Sequence, residues 1–302
     1  MDENIRYISR MDSDYPEKLK NIPDPPAGIY VKGRLPDDKK KSVAIVGARN
    51  CSQYGKSIAE YFASSLAAAG VQIISGLARG IDGAAQSAAV KAGGSTFGVL
   101  GCGVNVVYPK CNADIYKETL KTGGIISEVS NDEPPLKAYF PLRNRIIAGL
   151  CDILLVIEAR ERSGTGITVR NALEQGKDVF AVPGRLTDSL SAGCNRLIAQ
   201  GAGIALNPET VLLALSCNDD KEPVICPSCK RKYDSREIGY EKITLVGTEK
   251  VVYSLLDLYP KSLDEILMNS DLTLSETLEA LFKLMIKGAV SECAKNHYVR
   301  KI

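Results

Sequence analysis

Seven short apolar runs alternate with segments of helical period through the middle of this chain, and that alternation leaves few folds open. The runs at 43–46, 71–74, 96–100, 124–127, 153–157, 179–182 and 204–206 read as strands. Between and after them, 56–69, 83–92, 113–120, 145–150, 168–175, 194–200 and 209–215 carry the helical pattern, and Gly70, Gly93 and Gly176 stop three of these helices. Strands separated throughout by helices predict a parallel sheet covered on both faces, a Rossmann-like α/β domain over 42–216.

The rest of the chain divides around this domain. Residues 1–41, broken by Pro16, Pro23, Pro25 and Pro26, form a lead-in expected to pack on the sheet domain. Residues 217–247 are polar and aperiodic, as in a linker. Residues 248–302 hold three amphipathic segments and then a strand-like ending, the order of a small winged-helix-like domain. Its third helix, 274–287, has Glu276 and Glu279 early and Lys283 and Lys287 late, with Leu278, Leu281, Leu284 and Met285 read as its core face. That charge pattern favours protein contact over reading a major groove.

Of the 302 residues, 45% are hydrophobic and 25% charged, which excludes disorder, collagen-like repeats and a membrane protein. The N-terminus is too charged for a secretory signal and no run reaches the roughly 18 apolar residues of a spanning helix, so a cytoplasmic location and no membrane partner are expected. A net charge of +2 gives no general attraction to polyanions, so a nucleic-acid surface requires local clustering.

Five such clusters follow strands. Gly47-Ala48-Arg49-Asn50 joins a strand to a helix start, where amides and an arginine fork suit a phosphate, although a plain tight turn reads the same way. Gly76 through Gly80 repeats the arrangement, with Asp82 available as a helix cap. Gly101-Cys102-Gly103 leads to Tyr108-Pro109-Lys110, and Lys110 is either a ligand or a solvated loop lysine. Tyr139-Phe140-Pro141-Leu142-Arg143-Asn144-Arg145 combines cations with stacking faces, the composition used for single strands, unless one arginine is buried against a carboxylate. Ser163-Gly164-Thr165 offers hydroxyls and amides. The sites expected to bind DNA are Arg49, Lys110, Arg143, Arg145, Ser163, Gly164 and Thr165, with Gly47, Gly76 and Gly80 supplying phosphate-loop backbone.

In this order, the motifs GARNCSQYG, SGLARGID, GCGVNVVYP, YFPLRNRIIAGL, SGTGITVRNALEQGKDVFAVPG and CNRLIAQGA resemble the DNA-processing protein A (DprA/Smf) family over about residues 15–215. The resemblance implies an extended Rossmann fold, a homodimer, single-stranded DNA binding, protection of incoming DNA and loading of the RecA recombinase during natural transformation. Arg49 and Lys110 fall where the family contacts DNA, and Arg143 and Arg145 in its most characteristic basic block. Three positions depart from the family pattern: Gln86 where His is usual, Asn105 where Asp is common, and Gly166 where a larger apolar residue is usual.

The enzymatic alternative is a nucleotide-processing hydrolase of the lysine-decarboxylase-like Rossmann family. Its signature places a glutamate three residues after the loop threonine, whereas Thr168 stands three after Thr165. The single histidine, His297, is far along the chain from the loops and reads as part of the wing, so no catalytic residue and no cofactor are expected. Cys226 and Cys229 have the spacing of half a zinc site, to be completed by a second chain or by Cys217 and His297, or else are a degenerate linker remnant; no metal is expected. Cys51, Cys102, Cys111, Cys151, Cys194 and Cys293, scattered singly along the chain, read as reduced thiols. A scaffold acting through protein contacts is the third reading.

Overall fold

In the computed structural model, residues 5–217, 245, 247–257 and 259–300 are described. The chain forms two compact units, 1–227 and 228–302. Cys226 and Cys229 lie outside the described residues.

The first unit is built on nine strands: β1 (Ile5–Ser9), β2 (Gly28–Gly33), β3 (Ser42–Val46), β4 (Gln72–Ser75), β5 (Thr96–Leu100), β6 (Gly124–Ser127), β7 (Ile153–Val156), β8 (Asp178–Ala181) and β9 (Gly203–Ile204). Their order in the sheet is β1-β2-β6-β5-β4-β3-β7-β8-β9. The seven strands from β3 onward are parallel, so the α/β class and the Rossmann-like sheet of the sequence reading hold. Strand order reverses between β3 and β7, the place where open sheets of this kind part their loops to make a crevice.

Period-two alternation sorts the strand side chains to opposite faces. Ala44, Val46, Leu154 and Val156 enter one core, with helices α5 (Tyr139–Leu150), α6 (Thr165–Glu174) and α7 (Ala192–Ala199) over it. Val43, Ile45, Ile153 and Leu155 enter the other, beneath α2 (Gln53–Ala68), α3 (Ile81–Lys91) and α8 (Pro208–Cys217). Fully buried side chains such as Phe62 and Leu66 each contribute about 1.5–3 kcal/mol to holding these layers.

Most helix ends shift by one to three residues from expectation, and two regions differ more. Residues 5–33 add two antiparallel strands at the sheet edge, β2 pairing with β6 through Tyr30 opposite Ser127 and Val31 opposite Ile126. The prolines that break this segment lie between the strands, around the single turn α1 (Glu17–Lys20). Helix α5 begins at Tyr139, six residues ahead of the predicted start, because Pro141 lies in its first turn, where the missing N–H has no helical partner to lose. The YFPLRNR block is therefore helix, not loop. Helix α4 (Ala113–Thr122) completes the unit.

The C-terminal unit contains α9 (Thr248–Leu255), β10 (Lys261–Ser262), α10 (Leu263–Met268), α11 (Leu274–Ile286), β11 (Val290–Ala294) and β12 (His297–Arg300). The strands form an antiparallel sheet in the order β10-β12-β11, adding a short strand to the expected ribbon. Ser262 with Glu265 and Thr273 with Glu276 make capping boxes that start α10 and α11. Leu281 and Leu284 are core as expected, but Leu278 and Met285 are 41% and 38% exposed and do not belong to it. Among the described residues no helix is long and apolar enough to cross a membrane.

Burial pushes the thiols of Cys151 and Cys194 up to about 12 and that of Cys102 to about 11, while Cys111 and Cys293 are exposed. Raised thiols favour folding fully below the ordinary value of 9.0, and this contribution fades as pH rises through the folded values. At pH 8 a disulfide reagent should titrate Cys111 and Cys293 promptly and Cys102, Cys151 and Cys194 only after denaturation. Prompt loss of the last three would show that the sheet core opens readily.

Candidate nucleic-acid interface

Loops at the carboxyl ends of β3, β4 and β5 interlock before they present any side chain outward. The Ala48 amide donates to the Glu158 carbonyl at 2.8 Å, tying the β3 loop to the end of β7. A Cβ on Gly47 would lie 2.7 Å from Ile81 Cγ1 and 2.9 Å from the Glu158 carbonyl oxygen. Gly80, with φ of +85°, packs against the carbonyls of Ala48 and Arg49. Asn112 donates to the carbonyls of Leu77 and Ala78, both at 2.9 Å, and so anchors the loop that carries Lys110 beside the β4 loop.

The expected phosphate cradles are filled from within. Glu158, 1% exposed, accepts from the Ser52 amide at 2.9 Å and from the Ser52 hydroxyl, so the start of α2 already holds a carboxylate. The Gly76 amide donates to Asp82 at 3.1 Å, and the Leu77 amide to Gln86 Oε1 at 2.9 Å. Asp82 therefore serves the β4 loop and not the cap of α3, which is Gly80 without a side-chain bond. Buried Gln86 holds Leu77 at its positive φ of 51°. Gly47, Gly76 and Gly80 are each required by the close packing of these loops, and the Gly76 amide is already taken by Asp82.

Arg143 is a correction of the same kind. It is 6% exposed, and its Nη1 donates to the carbonyls of Gly76, at 2.9 Å, and Val99. Gly76 is glycine because a Cβ there would meet this guanidinium at 2.5 Å. Burial lowers Arg143 to about 10, opposed by Asp82, and burial raises the Asp82 carboxyl, opposed by Arg143. Arg145 is likewise committed: its Nη2 lies 2.6 Å from Glu128, its Nε 3.1 Å from Asp24, and its side chain is 13% exposed. The alternative that the sequence left open for one arginine is thus divided between the two: Arg143 is buried on carbonyls near Asp82, and Arg145 is the one paired with carboxylates.

Arg49 and Lys110 stand exposed. The Arg49 guanidinium lies over the Phe140 ring, 5.2 Å from its centroid, and Tyr108 stands 5.8 Å from the same ring at 43°. Phe140 covers Gly101, whose added Cβ would lie 2.9 Å from the ring. Exposed Arg79 bonds Asn50, adding a second guanidinium to this edge. Tyr108 and Arg79 were in view in the sequence but not among the expected contacts, whereas Phe140 was read as a stacking face within the Tyr139–Arg145 block. Ser163, Gly164 and Thr165 open α6, which no side chain caps; Gly164 is exposed and Thr165 buried.

Residues 6–216 match the model of the family described as DNA recombination-mediator protein A. The chain belongs to this family. Over 205 residues it is 45% identical to DNA processing protein DprA of Streptococcus pneumoniae, an alignment covering 68% of this chain and 72% of that protein. The X-ray structure of DprA from S. pneumoniae superposes with a TM-score of 0.66 at 42% identity, covering 70% of this chain and 74% of that one. DNA processing protein A from Helicobacter pylori, whose structure is described for its single-stranded DNA binding mode, gives 0.62 at 30% identity and covers 70% and 95%. Both family structures thus align with about the share of this chain that the family match spans.

Proposed function

We propose that this member of the recombination-mediator family binds single-stranded DNA without reading its sequence and catalyses nothing. The observation that carries the reading is exposed Arg49 and exposed Tyr108 on either side of half-buried Phe140, a cation and two aromatic rings in sequence of contact. Phosphates meet Arg49, Arg79 and Lys110, and bases stack on Phe140 or Tyr108. Arg143 and Arg145 position this surface from beneath, and Ser163, Gly164 and Thr165 supply a further contact where the strand passes the start of α6. The hydrolase alternative has no support from the start of α2, where Glu158 holds the Ser52 amide that a nucleotide phosphate would use.

The family resemblance extends the proposal to a homodimer that lengthens the groove, protects incoming DNA and delivers it to RecA during natural transformation, in the cytoplasm. Binding of labelled oligonucleotides over a salt series tests the core of it. Three phosphate contacts per chain give a slope of log K against log salt near −2, from roughly −0.7 per contact on single strands. Equal affinity for duplex, or a flat salt profile, would overturn the reading.

A further inference from the structure

Helix α11 buries Thr277, Ala280, Leu281 and Leu284 and leaves a second apolar face uncovered within its unit. Leu274, Leu278, Phe282, Met285 and Ile286 form that face, with Phe282 64% and Ile286 72% exposed. At the helical repeat these five occupy roughly a third of the circumference as one stripe. Scattered exposed apolar residues are ordinary; a continuous stripe marks a contact surface.

Charge on the same helix identifies the occupant. Glu276 and Glu279 lie in its first half and Lys283 near its end, and Glu279 and Lys283 pair at 2.6 Å along the flank of the stripe. Acid early and base late make the helix complementary to itself when reversed. The acidic first half also repels a phosphate backbone, so a nucleic acid does not fit.

We infer that α11 docks against α11 of a second copy of this chain, antiparallel about a two-fold axis near Phe282. The two Phe282 rings meet at the axis, Leu278 faces Met285 and Ile286, and Glu279 of each helix lies beside Lys283 of the other. Such an isologous contact repeats each favourable pair twice. It is independent of any pairing of the sheet units and of DNA binding.

The test uses the full chain with p-benzoylphenylalanine at position 282, mixing ¹⁵N-labelled and unlabelled protein before irradiation. Mass spectrometry should find mixed-isotope adducts joining 274–287 of one copy to 274–287 of the other. Lys283→Glu, which sets acid against acid, should lower their yield about tenfold, and Glu279→Lys with Lys283→Glu should restore it. These positions are exposed, so an unchanged melting temperature will certify folding. Adducts confined to one chain, adducts onto residues 5–217, no adduct at micromolar protein, or a yield indifferent to Lys283→Glu would each overturn the inference.

Discussion

Replacing Arg143 with alanine should cost about 3–5 kcal/mol of folding stability, before any question of DNA arises. The guanidinium is buried between the ends of β4 and β5, where it serves the carbonyls of Gly76 and Val99 and faces the buried Asp82 carboxylate. Truncation leaves two carbonyls without their donor and one carboxylate without its compensating cation. For a unit of this size the melting temperature should fall by about 6–20 °C. Arg143→Lys should recover part of the loss, since one ammonium restores charge without the planar fork. A variant that melts like the parent and has lost only DNA affinity would return Arg143 to the binding surface.

Arg49→Ala should do the reverse. Loss of an exposed guanidinium leaves stability within about 0.5 kcal/mol, whereas loss of a charge-assisted phosphate contact weakens single-strand binding by about 1–3 kcal/mol, roughly 5- to 150-fold. Phe140→Leu should lose a comparable amount through the missing stacking face. Because Arg49 sits over that ring, the double variant should lose less than the two single losses added. Unaltered binding by Arg49→Ala would remove the central contact of the proposed surface.

The contrast between these arginines marks how far the sequence was legible. All seven parallel strands were readable from apolar runs, because a sheet buried on both faces demands them. The start of α5 was not, because a proline normally ends a pattern and here stands in a first turn. Clusters at strand ends were readable as a set, but not which cations remain free. That depends on carboxylates brought in from afar: Glu158 reaches Ser52 across 106 positions and Glu128 reaches Arg145 across 17. Local spacing carries no trace of such partners.

The carboxylate of Glu158 at the head of α2 has a consequence for which ligands this edge can tell apart. A free mononucleotide brings its charge to one point, and at the head of α2 that point is taken by Glu158. What remains are the uncapped start of α6 and single, solvent-facing cations spaced along an edge, each weak alone. Under the proposed reading, affinity grows with the number of linked phosphates, so a polymer should outcompete monomers present in large excess, with selection on chain length rather than on base or sugar.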